Sequence, residues 1–183
     1  MRKGEKQKMK KLIALSLLLC CLAGAAMADT YGLGVYTTLS SASSAYEKDG
    51  TAYDGKYEVY TNVCHVVLDE EGKIVDVWFD AVQTKLGFTT KGEVKNEAGS
   101  VVASKVELKE KYGMATYVPT AKGEWYQQVR ALEQYCIGKT VAEVLSTPAT
   151  ASGVLEVEDL KSSCTIGVTD LLKALEMAAA NAR

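Results

Sequence analysis

Hydrophobic positions alternate most clearly in the first half of the chain. Lys56 to Leu68 (KYEVYTNVCHVVL) is apolar and β-branched, and a period of two places Val59, Thr61, Val63, His65 and Val67 on one face. Tyr60, Cys64, Val66 and Leu68 then share the other. Asp69 to Gly72 carries turn chemistry, and Lys73 to Val82 (KIVDVWFDAV) resumes the alternation, so the two runs predict an antiparallel hairpin. Gly34 to Thr38 predicts a short strand before it, and Gln83 to Thr89 predicts another after it. Leu39 to Asp54, rich in Ser, Gly and Asp, reads as a long surface loop, as does Lys91 to Gly99.

The second half changes period. Trp125, Val129, Leu132 and Cys136 fall at i, i+4, i+7 and i+11, an apolar stripe on a helix from about Gly123 to Ile137 that Gly138 ends. Thr140 to Leu145 predicts a short capped helix stopped by Pro148. From Val168 onward, Leu171, Leu172, Leu175, Ala178, Ala179 and Ala182 mark one face of a carboxy-terminal helix. Strands first and helices afterwards predict an α+β fold: a twisted antiparallel sheet with helices packed on one face, in a single domain.

The amino terminus is of another kind. Arg2, Lys3, Lys6, Lys8, Lys10 and Lys11 precede the apolar run Leu12 to Leu22, and Ala26-Met27-Ala28 supplies a small-residue cleavage site. This is the pattern of a secretory signal peptide over 1–28. Residues 29–54 then form a strand and Ser-rich loop, and 55–183 the main α+β domain. A lipoprotein is the rival reading, although Cys20 and Cys21 follow Leu19 and Cys20 rather than a small residue. Either way the expectation is an exported protein, secreted or attached to the outer face of the cytoplasmic membrane.

Removing that leader sharpens the charge. The chain of 183 residues has 21 Lys/Arg and 23 Asp/Glu; the leader takes six of the former and one of the latter, leaving a net −7. An acidic chain without clustered cations argues against nucleic acid as a partner. Outside the leader only Cys64, Cys136 and Cys164 remain, and the one histidine, His65, adjoins Cys64. Neighbours in a strand point to opposite faces, so a Cys/His nucleophile or a metal site is not expected. Cys64 in an apolar strand and Cys136 on an apolar helix face read as buried thiols, with one bridge plus a free thiol as the alternative.

One segment carries candidate chemistry: Asp159-Leu160-Lys161-Ser162-Ser163-Cys164-Thr165-Ile166-Gly167-Val168-Thr169. Hydroxyls crowd the entrance to the last helix, where free backbone N–H groups and the dipole favour an anion. Ser, Thr and Asp are also ordinary capping residues, so a plain cap is the competing explanation. The segment resembles the carboxy-terminal part of FMN-binding domains, found in the flavin-carrying subunit of sodium-pumping NADH:quinone reductases and in exported flavoproteins of extracellular electron transfer. There an Asp, two spacers and Ser-Gly-Ala-Thr precede a helix, and the Thr carries FMN through a phosphoester. Asp159 matches that Asp, Ser162 the Ser and Thr165 the flavin-bearing Thr, whereas Ser163 replaces Gly and Cys164 replaces Ala. Glu71-Gly72-Lys73-Ile74-Val75, Gln83-Thr84, Tyr112-Gly113-Met114 and Glu124-Trp125-Tyr126 extend the likeness over most of Tyr53 to Ala182.

The resemblance implies a covalent FMN cofactor on Thr165, with Asp159, Ser162, Ser163 and Cys164 beside it. It also implies a flavin transferase as a partner, membrane or surface redox partners, and electron carriage rather than catalysis. A cofactor-free binding or scaffold module of the same fold is the alternative. Tyr53, Tyr57, Tyr60, Trp78, Tyr112, Tyr117, Trp125 and Tyr126 are available either to stack on a flavin or to pack.

Overall fold

The structure is a computed structural model that describes residues 29–183. The leader, its cleavage site and the lipid-attachment alternative lie outside the described residues. The frame is an antiparallel sheet of three long strands: β1 (Thr30–Ser43), β4 (Gly55–Leu68) and β5 (Ile74–Phe88), in the order β1-β4-β5. Between β1 and β4 the chain makes a small ribbon of β2 (Tyr46–Lys48) and β3 (Thr51–Tyr53). The expected loop from Leu39 to Asp54 is therefore corrected. Leu39 to Ser43 stays in β1, pairing with Lys56 to Val59 across a bulge between Leu39 and Ser41, and the rest is mostly hairpin. Both faces of this ribbon are exposed, so no alternation of hydrophobic residues was there to mark it. The two strands expected over Lys73 to Thr89 are one, because Gln83 to Phe88 continues the pairing with Gly55 to Tyr60.

The core lies on one face of the sheet. Cys64 and Val66 of β4 and Val77, Phe79 and Ala81 of β5 are buried there with Asn62. Tyr31, Leu33, Val35 and Leu39 of β1 point to the uncovered side. The sheet thus has helices on one face only, in an α+β arrangement.

Helices supply the other half of the core. In α3 (Trp125–Cys136) the stripe Trp125, Val129, Leu132 and Cys136 is buried as the periodicity predicts, and Gly138, with φ +79°, follows its end. Thr140 caps α4 (Val141–Leu145), its hydroxyl accepting from the Glu143 N–H while the Glu143 carboxylate accepts from the Thr140 N–H. After α5 (Glu158–Lys161) comes α6 (Thr169–Ala180), which lies on β1 and β4. It approaches β1 closely because of two glycines. A Cβ on Gly32 would stand 2.0 Å from the Ala178 carbonyl oxygen, and one on Gly34 would stand 2.0 Å from that of Ala174. The end of α6 is fastened by Asn181 Nδ2 donating to the Leu33 carbonyl and by a backbone pair between Tyr31 and Arg183.

Two short helices not anticipated from the pattern follow the sheet: α1 (Lys105–Leu108), which packs on β5 and α3, and, after a single 3-10 turn at Lys109–Tyr112, α2 (Met114–Tyr117). Ser104 and Glu107 form a capping box at α1. The buried Asp80 carboxylate accepts from the Val106 N–H at 3.1 Å, docking α1 onto β5. No helix among the described residues is long and apolar enough to cross a membrane.

Candidate functional site

The segment from Ser162 to Val168 is an irregular link between α5 and α6 that opens on a turn and is fastened at both ends. Ser163 and Cys164 N–H groups bond back to Leu160, and the Val168 N–H donates to the Gly153 carbonyl at 2.9 Å. A Cβ on Gly167 would meet the Ser152 carbonyl at 2.4 Å, so the link presses against the 150–153 turn where only glycine fits. Ser163, standing where the resembled family has Gly, does not have a left-handed backbone, so serine carries no strain here.

Thr165 in the middle of this link is held by one buried side chain. The Gln128 carboxamide oxygen accepts from the Thr165 backbone N–H at 2.8 Å and from its hydroxyl at 3.1 Å. Gln128 is fully buried in α3, and its amide nitrogen donates to the Gly123 carbonyl at 2.9 Å and to Met114 Sδ at 3.3 Å. With both ends of the carboxamide engaged, its orientation is set. The Thr165 hydroxyl is consequently aimed by its own donor bond, which leaves the oxygen lone pairs free.

Thr165 and Gln128 line a depression of about 430 Å³, and a second of about 410 Å³ adjoins it, sharing Tyr60, Lys105, Trp125 and Gly167. Each is of the size that small-molecule sites commonly have. Lys105 stands at the junction. Its side chain is only 6% exposed, and its ammonium lies over the ring faces of Tyr60 (4.5 Å), Tyr112 (4.9 Å) and Trp125 (5.2 Å). Among the described residues it forms no ion pair. Burial pushes its pKa down to about 8, Lys85 adding to the effect and Glu58 and Asp80 opposing it. Burial likewise pushes the Tyr60 and Tyr112 hydroxyls up.

The carboxylates around the cavity are otherwise engaged. Glu58 accepts from Gln83 and Ser41 and pairs with Lys85 at 3.3 Å, and these contacts hold its pKa down. Buried Glu124 accepts from the N–H groups of Met114 (2.8 Å) and Ala115 (3.1 Å), fixing α2 at the rim. Asp170, in the first turn of α6, accepts from the Thr38 hydroxyl at 3.1 Å. Asp170 also supplies negative charge at the start of that helix, so the free charge that an anion would meet here is Lys105 rather than the helix end.

The residues singled out by sequence are only partly brought together. Thr165 faces the cavity. Ser162 is exposed at the end of α5, and Asp159 and Ser163 border a separate depression with Tyr135 and Lys139. Cys164 is 4% exposed with its thiol pKa raised by burial, and the replacement of alanine by cysteine therefore falls in the core. Cys64 and Cys136 are also free, buried thiols; burial raises both, Cys136 to about 12. Among the described residues no cluster of three potential metal ligands occurs. Of the eight aromatic residues, Tyr60, Tyr112 and Trp125 surround Lys105, whereas Tyr53 stacks on Tyr46, Tyr57 packs on Phe88, and Tyr117 is largely exposed.

Lys105 and Gln128 were not foreseen. The signal for Lys105 was the Ser104-x-x-Glu107 capping signature, which starts a helix at that lysine. For Gln128 the pattern offered only a polar residue one position before the apolar Val129. Compared with protein-family models, with curated proteins and with solved structures, the chain shows no match.

Proposed function

We propose that this is an exported electron carrier of FMN-binding type, with FMN joined to Thr165 by a phosphoester. The observation that carries the reading is Thr165 on the wall of a cavity that Tyr60, Trp125 and the Lys105 ammonium also line. A planar aromatic ring bearing a phosphate has the shape and charge for that lining: apolar faces for the ring, an ammonium for the anion and an oxygen for the link. Bound there, FMN would supply one- or two-electron transfer, while the chain supplies position and electrostatics.

In the attachment step the Thr165 oxygen bonds to the phosphorus of an activated flavin nucleotide. The donor's phosphoanhydride bond breaks with its leaving nucleotide, and the hydroxyl proton passes to a base of the flavin transferase. The Gln128 carboxamide presents the hydroxyl by holding the Thr165 backbone and side chain at once. The amino-terminal leader pattern supports export, and electrons would pass to membrane or surface partners. The experiment is co-expression with a flavin transferase, followed by intact mass measurement. The parent chain is expected to gain the mass of one FMN less one water, Thr165→Ser to retain labelling, and Thr165→Val to gain none while keeping its fold. A parent that stays unlabelled under conditions that label a known acceptor domain overturns the flavoprotein reading in favour of a cofactor-free binding module.

A further inference from the structure

Among the described residues the Lys105 ammonium is a buried charge with no ion-pair partner. The titratable groups around it are Tyr112, Tyr60 on β4 and Asp170 on α6, which line the cavities, with Glu58 on β4, Asp80 and Lys85 on β5 and Glu124 before α3 beyond them. Each of the carboxylates already accepts hydrogen bonds from other partners. Three ring faces attract a cation, yet none neutralises it. An uncompensated buried cation is costly, and an anion entering the cavity would complete it. The same three residues line the cavity, so a planar ligand entering it would lie among aromatic side chains.

We propose that Lys105 is the anion-recognition residue of this cavity, its ammonium taking the negative charge of a planar aromatic ligand seated in the cavity that Tyr60, Tyr112 and Trp125 line. This rests on the reading above in taking FMN as that ligand. It goes further in requiring recognition that does not depend on a bond to Thr165. The charge can come from the phosphate or from the polar edge of the ring, and the two sources are separable because riboflavin carries the ring without the phosphate.

The test uses the Thr165→Val chain, which has no hydroxyl for attachment, with Lys105 retained or changed to Met, Gln or Arg. Free FMN, riboflavin and 1-naphthyl phosphate are titrated and followed by flavin and tryptophan fluorescence at about pH 7 and about pH 9.5. Loss of a charge-assisted hydrogen bond in Lys105→Met and Lys105→Gln is expected to weaken FMN binding by about 10- to 100-fold. With Lys105 present, affinity falls between the two pH values as the ammonium, with a pKa of about 8, loses its proton; Lys105→Arg keeps affinity at both. Riboflavin binding that is unchanged in Lys105→Met assigns the phosphate, and riboflavin binding that weakens in parallel assigns the ring edge. Lys105-dependent binding of 1-naphthyl phosphate without binding of FMN sustains the role of Lys105 while removing the flavin reading. Equal binding of both anions with and without the ammonium, or no binding of either at millimolar concentration, overturns the proposal.

Discussion

Replacing Lys105 by Met keeps most of the side-chain volume and removes the charge, so the chain is expected to become more stable while its cavity loses a function. The magnitude follows from the site. A lysine moved from its ordinary 10.5 to about 8 has lost about 3 kcal/mol of preference for the protonated form, at about 1.4 kcal/mol per tenfold. Met replaces the packing of the lysine stem on the three rings only in part, which offsets about 1–2 kcal/mol of that. Lys105→Met should therefore stabilise the fold by about 1–2 kcal/mol at pH 7, in keeping with the gain often seen when buried charge gives way to an apolar side chain. The sign with pH is determined. Between about pH 8 and 10.5 the folded lysine is neutral and the unfolded one protonated, so the unfolded chain binds more protons and the parent gains stability as pH rises. The advantage of the variant is consequently full below pH 8 and closes towards pH 10.5. Cys64, Cys136 and Tyr60 also titrate differently in the folded and unfolded chains at alkaline pH, but they are common to both proteins and cancel in the difference. Urea melts of the pair at pH 7, 8, 9 and 10 read this directly. A variant destabilised by more than about 1 kcal/mol, or one whose advantage is the same at every pH, would refute the reasoning.

Other expectations follow from single contacts. Gly34→Ala drives a methyl to 2.0 Å from the Ala174 carbonyl oxygen, so α6 must shift off β1; a loss of about 2–4 kcal/mol in urea melts is expected, and a neutral effect would contradict the close packing. Trp125→Ala empties a buried site and should cost about 3–5 kcal/mol by the same measurement. Gln128→Met leaves the half-buried Thr165 N–H without its acceptor and should cost about 1–3 kcal/mol, with slower flavin attachment by intact mass; labelling at the parent rate would remove Gln128 from a presenting role. The three buried thiols should react with a disulfide reagent only as the chain opens, so their modification rate should track denaturant; complete labelling within seconds in the native state would contradict their burial.

Long periodic elements were legible in the sequence because their burial is one-sided. The stripe of α3 and the alternation in β4 each mark a face turned to the core, and the capping pair Thr140 and Glu143 marks a helix start by local hydrogen bonding alone. The ribbon of β2 and β3 was not legible, since both its faces meet solvent and nothing distinguishes it from a polar loop. The same limit applied to the site. Thr165 was picked out by the resemblance of its segment to FMN-binding domains, but Lys105, Gln128 and Tyr60 lie 60, 37 and 105 residues from it in the chain. Lys105 looks like any surface lysine in the sequence; it is buried only because Asp80 docks α1 over the sheet and α3 carries Trp125 to the other side. Whether a charge is solvated or buried depends on what the fold places around it. The sequence by itself determined the fold class and the hydroxyl, and tertiary packing decided which amide would hold that hydroxyl and which cation and rings would line the cavity beside it.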